Sequence, residues 1–291
     1  MKGIILKGIG GFYYVKADGA VYECRAKGIF RLEGVKPVPG DWVRFTPPTD
    51  TSLGSVDEIL PRRNQLVRPA VANVDLLLII LSAKKPKADL LLADKLLAYA
   101  YLQNIPAAIV VNKCDTGGET RETVLAEYGA SGAEVVCVSA RTGENLGRVK
   151  ELMRGRCTCL AGQSAVGKSS LINALSPGLE LETGGLSKKT DRGRHTTRHS
   201  ELLYLAELDA VAVDTPGFSI LECADMAPEE LSRAYREFDG VRCRFGGCLH
   251  QNEPDCGVKE RVAQDIVPQG GYDRYLELLQ ELQKRRERQY D

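Results

Sequence analysis

Gly162-Gln163-Ser164-Ala165-Val166-Gly167-Lys168-Ser169 spells G-x-x-x-x-G-K-[ST], the spacing of a phosphate-cradling loop. The chemistry explains the residue types. Glycines let the backbone curl so that successive N–H groups face phosphate oxygens. Lys168 brings a point charge to the outer phosphates, and the Ser169 hydroxyl is a hard oxygen ligand for Mg²⁺. The flanks agree. Residues 157–161 form a short apolar strand pattern, and Ser169, Ser170 and the run to Leu175 read as a helix. Such a helix aims the positive end of its dipole at the phosphates.

Working outward, strands and helices alternate on the N-terminal side of this loop. Residues 75–81 are a continuous apolar run, the pattern of a strand buried on both faces of a parallel sheet. A helical pattern follows from Leu90 to Tyr101, then a strand at 107–111 that ends in Asn112-Lys113-Cys114-Asp115. After a helix near 119–128, residues 134–138 form a strand ending in Ser139-Ala140-Arg141, and a helix near 146–153 leads to the phosphate-loop strand. Beyond it, residues 202–213 carry the remaining strands into Asp214-Thr215-Pro216-Gly217. This alternation predicts a doubly wound α/β domain over residues 67–220, with its ligand loops at the carboxyl ends of strands.

The first 66 residues read differently. Five short strand-like runs, at 4–6, 12–15, 21–24, 42–45 and 56–59, are punctuated by Gly10-Gly11, Asp18-Gly19 and Pro39-Gly40-Asp41. They predict a small all-β barrel of the oligonucleotide-binding type. Its Tyr14, Tyr22 and Trp42 either stack on RNA bases or fill the barrel. Residues 61–65 read as a basic linker. Residues 221–291 form a third, α-helical domain. There Cys243, Cys248, His250 and Cys256 supply three thiolates and an imidazole within fourteen residues, a closed Cys₃His set suited to one structural zinc. The helix from Tyr272 onward puts Tyr275, Leu278, Leu279 and Leu282 on one face. It ends in a basic run, Lys284 to Arg288, that either solvates or meets RNA phosphate.

Bulk composition narrows the class. The 291 residues hold 39 basic and 39 acidic side chains, so no global field draws the chain onto nucleic acid or membrane. No apolar run is long enough to span a bilayer and no export signal opens the chain, which predicts a cytoplasmic protein without membrane contact. In that compartment the nine cysteines are expected as thiols or metal ligands rather than disulfides.

Asn112-Lys113-Cys114-Asp115 resembles the guanine-recognition element of GTPases. That resemblance implies that Asp115 accepts from guanine N1–H and its exocyclic amine, which adenine cannot match. It also implies that Asn112 contacts the far edge, that Lys113 lies over the ring and that the Ala140 N–H, beside Ser139, meets the base oxygen. Asp214 to Gly217 resembles the second switch, with Asp214 reaching Mg²⁺ through water and the Gly217 N–H on the γ-phosphate. In residues 188–198, five of eleven are Lys or Arg, and Thr197 (in preference to Thr196) is expected to close the Mg²⁺ shell. Ordinary small GTPases run from phosphate loop to switches to base recognition. Here base recognition comes first, which is a circular permutation. Phe218 stands where many GTPases place a water-orienting Gln, and Ala165 where potassium-activated relatives carry Asn. Slow intrinsic hydrolysis is therefore expected, accelerated when a partner orders His195, His199 or an arginine beside the γ-phosphate.

Taken together, the barrel, the permuted motif order, Gly193-Arg194-His195-Thr196-Thr197 and the Cys/His set resemble the small-ribosomal-subunit-dependent GTPase A family of bacteria. The resemblance implies GTP and GDP as ligands, Mg²⁺ with GTP, and one structural zinc. It further implies a monomer that docks on the small ribosomal subunit and its rRNA late in maturation. Two other expectations compete with it: a non-catalytic, GTP-gated RNA-binding scaffold, and a permuted GTPase acting on the large subunit.

Overall fold

A computed structural model describes residues 1–32, 34–67, 69–117, 119–179, 201–214 and 226–290. In chain order the elements are β1 (Lys2–Ile9), β2 (Phe12–Ala17), β3 (Ala20–Ala26), α1 (Ile29–Leu32), β4 (Trp42–Thr46), β5 (Gly54–Ile59), β6 (Gln65–Leu66) and β7 (Val71–Ala72). Then come β8 (Leu76–Ser82), α2 (Leu90–Leu102), β9 (Ala107–Asn112), α3 (Thr120–Tyr128), β10 (Glu134–Cys137), α4 (Leu146–Met153), β11 (Cys157–Ala161) and α5 (Lys168–Leu175). Last are β12 (Glu201–Leu205), β13 (Ala210–Asp214), α6 (Pro228–Ala234), α7 (Gly257–Ala263) and α8 (Gln269–Tyr290). Two compact units contain them.

The first unit holds the N-terminal barrel. Its strands run β1-β2-β3-β5-β4, and β4 returns to β1 to close the ring. Alternation fills the interior: Val43 and Phe45 of β4 are buried while Trp42, its first residue, is 40% exposed. Ile5, Val15, Cys24 and Val56 complete the core, with Tyr22 packed against Phe45 at 5.3 Å between ring centroids. Of the two roles open to the aromatics, Tyr22 takes the packing one. Trp42 faces outward with the Lys2 ammonium 5.0 Å from its ring centre. The β2–β3 hairpin turns on Asp18 and Gly19, both at positive φ, as a two-residue connection requires.

Residues 61–65 are not a solvated linker. Arg62 lays its guanidinium on the fully buried Asp41, Nε to Oδ1 at 2.6 Å and Nη2 to Oδ2 at 2.7 Å. A buried carboxylate needs such a partner, and Asp41 Oδ2 also accepts from the Val38 N–H. Beyond the barrel the same unit continues β1 into β12, β13 and β11, with β11–β13 parallel and β12 antiparallel to both neighbours.

In the second unit β10, β9 and β8 form a parallel sheet in that order. Every residue of β8 is buried, as its unbroken apolar run requires. Helix α2 opens on Asp89, whose side chain accepts the Leu92 N–H, and packs with α6 and α8 around Tyr235, Phe238, Tyr275 and Leu279. On its buried face sits Asp94, only 4% exposed. Three groups satisfy that carboxylate: Arg274 Nε of α8 at 2.6 Å, the Tyr128 hydroxyl of α3 at 2.5 Å and the Tyr235 hydroxyl at 3.3 Å. Arg274 also reaches Glu127 at 3.1 Å. No helix among the described residues is long and apolar enough to cross a membrane.

Removing one partner of a buried ion pair strands the other. Arg274→Met is expected to lower stability by about 3 kcal/mol, read as a fall in the urea midpoint. A midpoint equal to that of wild type would show that Asp94 does not depend on this partner.

Candidate functional site

Three loops of the second unit meet at the ends of their strands. Asn112 closes β9, Ser139 and Ala140 follow β10, and residues 162–169 follow β11. The buried Asn112 amide connects them: Nδ2 donates to Val166 O at 3.0 Å, and Oδ1 accepts from the Ala140 N–H at 3.1 Å and the Lys113 N–H at 2.8 Å. Lys113 adopts a left-handed backbone and sends its ammonium to the Ala165 and Lys85 carbonyls, both at 2.7 Å. The Asn112–Asp115 segment, Ala140 and residues 162–169 are thus one hydrogen-bonded body.

The Asp115 carboxylate lies at the mouth of this body with 9% of its side chain exposed. Ser139 Oγ donates to Oδ1 at 2.5 Å, and Arg141 donates to Oδ2 from Nε at 2.8 Å and Nη2 at 2.5 Å. These hydrogen bonds, Ser139 first and Arg141 second, hold the Asp115 pKa below the ordinary carboxylate value. Cys114, between Lys113 and Asp115, turns its thiol to Val111 O at 3.2 Å, inward rather than toward the mouth. Burial pushes that thiol up to about 11.

The phosphate loop alternates backbone hands: Gly162, Ala165 and Gly167 all have positive φ, which curls successive amides into an anion-binding concavity. A Cβ on Gly162 would lie 2.2 Å from the Ile80 carbonyl oxygen, and one on Gly167 would lie 2.4 Å from Asn112 Nδ2. Neither position has room for a side chain. Gln163 accepts the Asp89 N–H at 3.2 Å, tying the loop to the start of α2. Ser164 and Ala165 are exposed, Val166 is buried beneath them, and Ser169 and Ser170 are half-exposed at the start of α5. Lys168 Nζ folds over the loop onto the Gly162 and Gln163 carbonyls, each at 2.7 Å. Asp214 ends β13 in the first unit. His195, Thr196, Thr197, Gly217 and Phe218 lie outside the described residues.

A family model described as RsgA GTPase matches residues 59–224, and one described as RsgA N-terminal domain matches residues 2–56. The chain belongs to the RsgA GTPase family. Its relatives cover it almost end to end. A protein of Ruminiclostridium cellulolyticum, named small ribosomal subunit biogenesis GTPase RsgA, is 46% identical over 96% of this chain and 93% of its own length. A Geobacillus thermodenitrificans protein of the same name is 43% identical over 99% of each chain. Among solved structures, YjeQ from Thermotoga maritima superposes with a TM-score of 0.84 at 32% identity, covering 97% of this chain and 98% of its own. YloQ, described as a circularly permuted GTPase, gives 0.81 at 33% identity, covering 98% and 95%. This RsgA-family chain is accordingly a GTPase of permuted order, and its family implies Mg²⁺.

Away from the nucleotide loops, the RsgA-family chain gathers Cys243, Cys248, His250 and Cys256 so that one ligand atom from each lies within 4.8 Å of the others. His250 Nδ1 is 3.5 Å from Cys243 Sγ and 3.4 Å from Cys256 Sγ, and the two sulfurs are 3.9 Å apart. A tetrahedron with ordinary Zn–S and Zn–N bonds has edges of about 3.6 Å between N and S and about 3.8 Å between sulfurs, so the cluster is compatible with zinc. Burial pushes the Cys248 thiol up to about 12 and lowers the His250 imidazole. Tyr272 and Tyr275 of α8 donate to the His250 and Leu249 carbonyls at 2.6 and 2.7 Å, fixing the cluster to that helix. Cys24 is buried in the barrel, Cys137 is half-exposed, and Cys223 lies outside the described residues.

Arg141 directly follows Ser139-Ala140 in the sequence, but nothing in that spacing names Asp115 as its partner. Gly162→Ala is expected to break the loop against the Ile80 carbonyl and abolish the thermal stabilisation given by GDP. A GDP-dependent melting shift equal to that of wild type would contradict the close backbone approach.

Proposed function

We propose that this chain hydrolyses GTP on the small ribosomal subunit and assists its late maturation, with turnover stimulated by that subunit. The observation that supports this reading is the Asn112 bridge, which joins the Asn112–Asp115 segment to residues 162–169 and to Ala140 through direct hydrogen bonds. The near full-length likeness to proteins named for small-subunit biogenesis supports the partner. The division into a barrel (1–66), a permuted GTPase domain (67–220) and a zinc domain (221–291) belongs to the same proposal.

In this reading Asp115 accepts guanine N1–H and N2–H, and the Ala140 N–H meets the base oxygen. Lys113, its ammonium anchored on two carbonyls, offers its aliphatic stem to the ring face. Residues 162–170 wrap the phosphates, and Lys168 exchanges its two backbone carbonyls for phosphate oxygens. Ser169 and Thr197 would hold Mg²⁺ through hard oxygen donors, with Asp214 acting through a water, and the bound ion would supply positive charge to the phosphates. Gly217 donates to that phosphate. His195 and Thr197 fall in the basic segment between the phosphate loop and Asp214, whose charge suits rRNA phosphate. With Phe218 unable to orient water, the subunit must complete the catalytic arrangement, so His195 acts only in the assembled particle. The zinc is structural because four protein ligands leave no open position. The factor acts as a monomer in the cytoplasm.

GTP turnover is expected to be slow for the protein alone and to rise at least tenfold with purified small subunits, and Lys168→Ala is expected to abolish it. Stimulation by large subunits instead, or none by either, would overturn the assignment. Cys248→Ser is expected to reduce bound zinc from about one per chain, measured by metal analysis of the purified protein. Absence of zinc from wild type would refute the metal site.

A further inference from the structure

Asp115 has a limited number of acceptor positions. A carboxylate offers about two per oxygen. Arg141 fills both on Oδ2, through Nε and Nη2, while Ser139 takes one on Oδ1. Guanine presents N1–H and N2–H side by side, spaced to place one donor on each oxygen. The Ser139 bond leaves room for the donor on Oδ1. Nothing leaves room on Oδ2 unless Arg141 gives up at least one of its two bonds. The guanidinium and the Watson–Crick edge of guanine offer the same chemistry, a pair of parallel N–H donors, to the same acceptor.

We propose that Arg141 is a removable cover on the guanine-recognition carboxylate, which the entering base displaces and which returns when the base leaves. The proposal rests on the reading of Asp115 as the guanine acceptor. The arm is built to move: 77% of the Arg141 side chain is exposed. The remainder of the loop does not depend on it, since the Ala140 N–H donates to Asn112 and the Thr142 N–H donates to the Ser139 hydroxyl. The cover also keeps the carboxylate paired at every stage of the cycle, so Asp115 is never left as a bare charge. Displacement rewards only a base with two adjacent donors. Adenine has no such pair at that edge and returns less than it removes.

An exposed ion pair favours its closed form by a factor of about two to five, and only the open fraction accepts nucleotide, which weakens the apparent affinity in proportion. Stopped-flow binding of a ribose-labelled fluorescent GDP to the full chain tests this. Arg141→Ala is expected to bind about three- to sixfold more tightly, chiefly through faster association, and Arg141→Lys to fall between, having charge without the fork. Because an exposed pair is screened by salt, the advantage of the alanine variant is expected to shrink between about 50 mM and about 500 mM salt. Unchanged or weaker GDP binding by Arg141→Ala would overturn the cover, weaker binding identifying Arg141 as a direct nucleotide contact. Asp115→Asn separates this failure from failure of the base-recognition reading. If that variant moves preference from GDP to XDP, Asp115 is the acceptor and the arginine result alone decides; if preference does not move, the recognition reading and the cover both fall.

Discussion

A single buried amide, Asn112, holds the nucleotide loops in register. Its NH₂ group satisfies a phosphate-loop carbonyl and its oxygen satisfies two backbone N–H groups, one beside it and one on the loop after β10. An amide carries both donor and acceptor, so it can join loops whose exposed backbone groups are of opposite kind. Aspartate could not donate to Val166, and leucine would leave three backbone groups unpaired in a closed space. Gly167 belongs to the same constraint, because any side chain there would displace the amide. The loops after β9, β10 and β11 therefore keep a set spacing without help from any ligand.

The C-terminal region of the second unit is built on two polar anchors rather than on apolar packing alone. Arg274 of α8 pairs with Asp94 of α2, and one residue later Tyr275 packs on Phe238 and bonds the Leu249 carbonyl beside the Cys/His cluster. A short segment of α8 thus touches both helix α2 and the loop that carries the Cys/His cluster. Lys95 and Glu281 add an exposed pair along the same helices. Charge pairs of this kind specify register between helices where leucine faces would tolerate slippage.

Much of this was legible in the sequence for local reasons. Strand β8 declared its burial by an unbroken apolar run, Asp18-Gly19 its hairpin by chirality, and the phosphate loop its curl by glycine spacing. The four ligands near residue 250 lay close enough in sequence for their chemistry to be read together. The polar pairs were not legible, because periodicity names a face and not its partner. Asp94 sits 180 residues from Arg274, and nothing local connects them. A signal existed: a carboxylate within the apolar face of α2 requires a buried partner. Arg62 was misread for the related reason that a Pro-Arg-Arg run has the composition of a linker, while Asp41, its partner, looks like an ordinary turn residue.

Strand β1 has a consequence for the order in which the molecule assembles. Its first residues pair with β4, Ile4 to Ile9 with β2, and Lys7 with Glu201 of β12. The ring around it needs only the first sixty or so residues and can close as soon as they leave the exit tunnel. The β12 pairing joins segments almost two hundred positions apart, so it waits until most of the chain has been translated. A newborn chain therefore carries a finished barrel with one main-chain rim still open, and β12, made much later, is the strand that pairs along it.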